Sequence, residues 1–167
     1  MIVFEEKMRE LILLLPQNVN TNGSFPIKYD WGTIDILNKF LSLKTNASKY
    51  PLIWLVISSD TDDLLRPRVT RKARFVIATR SAEVDEFNNY QYRTDYAFVL
   101  IPVYNDFITL LKRSGISKII GDTVVKELKP NFSFLGNEKG LITTWNALVI
   151  DLEIELTNGC INQNIKF

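Results

Sequence analysis

Leu148, Ile150, Leu152, Ile154 and Leu156 alternate with Asp151, Glu153 and Glu155 toward the end of the chain. Residues two apart in an extended strand share a face, so this pattern demands a strand with one apolar and one wet side, as in an antiparallel sheet open to water on one face. The run Leu52-Ile53-Trp54-Leu55-Val56-Ile57 has no polar face. It predicts a central strand covered on both sides, with Pro51 tolerated as its first residue. A third strand, Arg71 to Thr79, sets Ala73, Phe75 and Ile77 against Lys72, Arg74, Val76 and Ala78. Thr123–Leu128, Asn131–Leu135 and Gly140–Thr144 read as shorter strands or hairpin arms.

Helical spacing marks three other segments. Phe4, Met8, Leu11, Ile12 and Leu15 form one stripe over about residues 2–15, ended by Pro16. Thr33 is a suitable N-cap for a second helix with Ile34, Leu37, Phe40 and Leu41 inward, entered through a turn at Trp31-Gly32. The apolar run Tyr96–Ile101 passes through Pro102, acceptable in a first helical turn, into Val103, Tyr104, Phe107, Leu110 and Leu111, and Gly115 closes that helix. Gln17–Ile27 reads as an exposed loop, Ser58–Val69 as a charged loop, and Ser81–Thr94 as a long polar loop of the kind that carries function. Trp31, Trp54 and Trp145 are expected as core or interface anchors rather than ligand stackers, with the core favoured. The expected fold is one α+β domain over residues 1–156, a mostly antiparallel sheet with two to three helices packed on one face. A polar tail, residues 157–167, is expected to fray or to be held by a partner.

Composition narrows the chemistry. The 167 residues contain no histidine and one cysteine, Cys160. A Ser/His/Asp triad, a Cys/His pair and a histidine- or multi-cysteine zinc site are therefore excluded, and no disulfide framework is possible within the chain. With 20 basic and 19 acidic side chains the net charge is +1, so no whole-protein field draws in nucleic acid or an anionic membrane. The opening residues read as an amphipathic helix rather than a leader, and no apolar run nears the roughly 20 residues that span a bilayer. Synthesis in the cytoplasm and no membrane association are expected. No catalytic, cofactor-binding or metal-binding residue is assigned, and no cofactor is expected.

Two constellations remain. Asp60-Thr61-Asp62-Asp63 after an apolar strand resembles the nucleophile motif of haloacid-dehalogenase-type phosphatases, where paired carboxylates hold Mg²⁺ beside a phosphate, although Asp63 and Leu64 stand where that family has Gly and Thr. Arg66, Arg68, Arg71, Lys72, Arg74 and Arg80 form the one basic concentration, with Tyr90 and Tyr92 as stacking faces close behind. Such a set suits a phosphate backbone, a charged subunit contact or a wet sheet face. Asp151, Glu153 and Glu155 offer a matching acidic surface, and pairing the two across copies would make a head-to-tail contact.

In order, the N-terminal helix, the Trp31-Gly32 turn into a second helix, Lys49-Tyr50-Pro51-Leu52-Ile53-Trp54-Leu55, the basic strand ending Phe75-Val76-Ile77-Ala78-Thr79, the polar loop, and Leu100-Ile101-Pro102-Val103-Tyr104 into a helix resemble phage tail terminator and neck (tail-completion, head–tail connector) proteins over residues 1–156. The resemblance implies a non-enzymatic virion protein of the phage neck or tail. Its subunits would form a six- or twelvefold ring that ends the tail tube or joins it to the head connector. The implied neighbours are tail-tube, connector or portal-proximal proteins, with genome DNA passing through the lumen without sequence-specific binding. Residues 60–80 and 81–94 would reach adjacent subunits or rings. A Mg²⁺-dependent phosphohydrolase using Asp60 and Asp62, and a small nucleic-acid-binding module, are the alternatives.

Overall fold

The computed structural model describes residues 2–16, 18–20, 23–43, 50–80, 92–132 and 145–167. Tyr90, most of the polar loop, and the hairpin arms expected at 133–144 lie outside them. The fold is α+β. Its elements are α1 (Phe4–Ile12), β1 (Asn18–Asn20), β2 (Gly23–Phe25), β3 (Lys28–Gly32), α2 (Ile34–Ser42), β4 (Leu52–Val56), β5 (Thr61–Asp63), β6 (Arg68–Arg80), a π-helical segment (Tyr92–Leu100) running into α3 (Ile101–Arg113), β7 (Ser117–Lys129) and β8 (Trp145–Thr157). One six-stranded sheet has the order β3-β4-β6-β8-β7, and β5 joins the start of β6. Only the β3–β4 pair is parallel, bridged by α2. The short pair β1–β2 forms its own hairpin where a loop is expected.

Strand parity divides the core in two. On one face Ile53 and Leu55 of β4, Phe75 and Ile77 of β6 and the even-numbered leucines and isoleucines of β8 meet Phe4, Met8, Leu11 and Ile12 of α1 and the inner side of α3. The Phe75 and Phe107 rings meet edge to face with centroids 4.9 Å apart, an arrangement worth about 1 kcal/mol beyond area burial. On the other face Leu37 and Leu41 of α2 cover Leu52, Trp54, Val76, Ala78, Trp145, Ala147 and Val149. Thus α1 and α3 share one face, as expected, while α2 covers part of the opposite one. Cover by α2 ends near Val149, and beyond it β8 changes from burial on both sides to the predicted half-wet alternation.

Local sequence explains the element ends. The Thr33 hydroxyl accepts the Ile36 N–H at 3.3 Å, capping α2 as its position predicts. Gly32 lies under the Trp54 ring, and a Cβ there would come within 2.8 Å of Trp54 Cζ2. The Trp54 indole N–H donates to the Gly32 carbonyl at 3.2 Å, so ring and backbone need each other's shape. Gly115 follows α3 with φ +78°, the left-handed conformation of a helix stop.

Several expectations need correction. Trp31 and Gly32, expected as a turn, end strand β3, which pairs with β4 alone among the described residues, and Trp31 is exposed at the rim while Trp54 and Trp145 are buried. Residues 61–63 are a strand within the supposed charged loop. Tyr92 and Thr94 are helical, and the apolar run through Pro102 is helix from Tyr92 onward. The tail is held by its own chain: the Asn162 N–H donates to the Ser114 carbonyl at 2.8 Å, Arg113 Nη1 donates to the Lys166 carbonyl at 2.7 Å, and Ile161 and Ile165 pack on the core. Asn162 thereby satisfies carbonyls that the end of α3 leaves open, its N–H bonding Ser114 and its side-chain amide donating to the Arg113 carbonyl at 3.3 Å.

Candidate subunit and partner interface

Antiparallel pairing of β6 with β8 places the basic and acidic segments side by side in one chain. Thr70 faces Glu155, Lys72 faces Glu153, and Arg74 faces Asp151. Arg74 holds Asp151 with two parallel hydrogen bonds, Nε to Oδ1 at 2.8 Å and Nη2 to Oδ2 at 2.9 Å. These bonds keep the Arg74 pKa above its ordinary value. Arg68 spans Asp63 Oδ2 at 2.7 Å and Glu155 Oε2 at 3.1 Å. Its guanidinium, helped by the Leu65 N–H, holds the Asp63 carboxyl below the usual carboxylate range. The acidic surface expected to meet the basic one across copies is therefore its neighbour within the sheet. The physical reason is register: opposite charges directly across an antiparallel pair stabilise it.

Arg71 is on the other face and only 3% exposed. Its Nη1 donates to Glu5 Oε1 at 2.7 Å, its Nε and Nη2 bind the two oxygens of Asp60, and its guanidinium lies 4.3 Å from the centroid of the Phe4 ring. Burial opposes the charge, yet hydrogen bonds to Asp60 and Glu5 outweigh it and raise the pKa. Arg71 thus ties α1, the β4–β5 connection and β6 together, and it presents nothing to a partner. It corrects the expectation that the whole basic segment faces outward. The same contacts engage both carboxylate oxygens of Asp60, while Asp62 sits exposed on β5 opposite Val69.

Arg66, Lys72 and Arg80 are exposed and make no ion pair among the described residues. Tyr92 is exposed and stacks on Tyr96 with centroids 6.0 Å apart, instead of standing free on a loop. Tyr96 in turn donates to the Ala147 carbonyl at 3.3 Å, and the Asn146 amide donates to Asp95 at 2.6 Å. This polar link fixes the π-helical segment onto β8, where a rare helix form needs support from its surroundings.

Two surfaces that sequence reasoning missed are apolar. At the tip of the β5–β6 hairpin Leu64 and Leu65 are 95% and 94% exposed. The tip is shaped by Asp63, whose Oδ1 accepts the Leu65 and Arg66 N–H groups at 2.9 and 3.2 Å. Strand β7 is the second. It pairs with β8 on one side and, among the described residues, with no strand on the other, and it exposes Ile120, Val125 and Leu128. A register break between Ile120 and Val125 interrupts its pairing, which hid its full length from period-two reading. The doublet Leu64-Leu65 in a charged loop was the available signal for the tip. Among the described residues no group of three acidic or cysteine side chains is placed to hold a metal ion. Compared with known proteins, the chain matches no family model and no curated protein.

Proposed function

We propose that this chain is a structural subunit of a phage neck or tail, assembling into a six- or twelvefold ring that ends the tail tube or joins it to the head connector. The observation that carries the reading is where the exposed apolar surface lies. Arg68 and Arg74 on the sheet are paired with carboxylates of the same chain, whereas the Leu64-Leu65 tip is apolar and almost wholly exposed, and the outer edge of β7 pairs with no strand among the described residues. Exposed strand edges and protruding apolar side chains are liabilities for a lone soluble protein and assets for one that docks. The resemblance in layout to tail terminator and neck proteins supplies the setting, and a lumen carrying DNA would ask for cations without sequence-reading geometry. Arg66, Lys72 and Arg80 are available for that role.

The phosphohydrolase alternative draws less support because Arg71 occupies Asp60. The nucleic-acid module draws less because Arg68, Arg71 and Arg74 are spent on carboxylates. Purified protein mixed with tail tubes and viewed by negative stain should form a ring at one tube end, and particles should contain the chain by mass spectrometry. Failure to join any tube or connector end, together with absence from purified particles, overturns the reading.

A further inference from the structure

We infer that the Leu64-Leu65 tip of one copy seats in a groove on the open sheet face of the next, making a head-to-tail contact. The inference rests on the ring-subunit reading and specifies its contact. The groove is a cavity of about 300 Å³ beside the end of α2's cover, floored by Ile34, Val76, Phe132 and Val149 and rimmed by Arg74, Glu127 and Lys129. Its floor is apolar because it continues the smaller core cluster; its rim is charged, with Arg74 already held by Asp151 and Glu127 and Lys129 standing on the wet strand β7.

The tip offers the complement. Its two leucines are almost wholly exposed, so burying them releases the full apolar area to a partner. Flanking them stand Asp62 and Arg66, which make no ion pair among the described residues. The rim's Lys129 and Glu127 are 2.5 Å apart and exposed, a surface pair worth little and easily exchanged for Asp62 with Lys129 and Arg66 with Glu127. Apolar filling supplies affinity, while the two charge matches set orientation.

A chain's tip cannot reach its own groove. The tip precedes Arg68 and the groove lies at Val76, eight residues along the same strand or about 26 Å at the rise of an extended chain. A tip seated in the groove therefore belongs to a second copy. Because tip and groove are different surfaces, the contact is heterologous, the kind that closes into rings when the rotation permits.

The test uses the full chain, alone and with tail tubes, read by native mass spectrometry and sedimentation. Leu64→Ser with Leu65→Ser should leave circular dichroism unchanged and weaken self-association about a hundredfold. Asp62→Lys and Lys129→Glu should each weaken it alone, by placing like charges together. Mixing those two variants should restore it, since alternating copies then present opposite charges at every contact. If the leucine variant assembles like the parent, or mixing restores nothing while rings still form on tubes, this contact is wrong and the ring reading survives. If the parent chain neither self-associates nor caps tubes, both fall.

Discussion

At the scale of single residues, burial decides which arginine matters. Arg71 and Arg74 are three positions apart on one strand and both grip carboxylates, yet their surroundings differ. Arg74 and Asp151 are about half exposed, and a solvated pair of this kind contributes about 0.5 kcal/mol. Arg71 is enclosed by Glu5, Asp60 and the Phe4 ring, so Arg71→Ala leaves two carboxylates facing a hole without a counter-charge. The expected loss is about 3 kcal/mol, discounted from the fully buried case because Asp60 and Glu5 retain some solvent. Arg71→Lys should recover only part of it, because an ammonium cannot make the two-pronged contact with Asp60. Urea denaturation checks this, and a loss below about 1 kcal/mol for the alanine variant would refute the structural role. Two tyrosines give a pH signature. Burial, then the nearby Glu5, pushes the Tyr29 phenol up, and burial with Asp95 does the same for Tyr96. The folded chain holds these protons more tightly than the unfolded one, whose phenols titrate near pH 10. Their contribution is fully present below about pH 10 and drains away as pH rises through the window above it. Tyr29→Phe with Tyr96→Phe should lower stability at neutral pH by the lost hydrogen bonds to the Glu5 carbonyl, at 3.2 Å from the Tyr29 hydroxyl, and to the Ala147 carbonyl, while flattening the alkaline decline. An unchanged alkaline slope in urea midpoints against pH would contradict that assignment.

At the scale of elements, the C-terminal segment gives the sharpest expectation. Residues 158–167 look like a polar tail, but Ile161 and Ile165 contact the core and Asn162 and Lys166 meet the end of α3. Removing residues 158–167 should cost about 2–4 kcal/mol, from two partly buried isoleucines and the reopened helix end. Calorimetry of the truncated chain checks it, and an unchanged midpoint would return the segment to the status of a loose tail. The same segment shows what the sequence reveals and conceals. Elements whose signal is local were legible: the Phe4–Ile12 stripe, the Thr33 cap, the β4 run and the Leu148–Leu156 alternation. Elements stabilised from a distance were not. Lys28–Gly32 carries no period and is a strand because β4 pairs with it, and Thr61–Asp63 is a strand because β6 runs past the end of β4 and leaves Arg68–Thr70 to receive it on that edge. Tyr92–Phe98 is too polar to announce a helix and is anchored by Asn146 and Ala147, about fifty residues later in the chain. At the candidate interface the residue types were visible but their partners were not, since Arg74 and Asp151 are 77 positions apart and only strand register brings them together.

At the scale of the whole molecule, the described residues build two core clusters. The larger is roofed by α1 and α3 and the smaller by α2, and long-range ion pairs join α1, β5, β6 and β8. What remains for a partner is peripheral: a hairpin tip, a strand edge and a shallow groove. On the ring-subunit proposal, such a subunit would fold first and assemble afterward, unlike an obligate oligomer whose stability cannot be separated from its concentration. That order would keep copies dispersed until a tube end gathers them and many weak contacts then act together. The expected outcome is one cooperative unfolding transition whose urea midpoint does not move over about a hundredfold range of protein concentration. Addition of tail tubes should raise that midpoint, because only the folded subunit binds them. A midpoint that climbs steeply with concentration in the absence of tubes would mean that part of the core is completed by a neighbour, and that folding and assembly are one step rather than two.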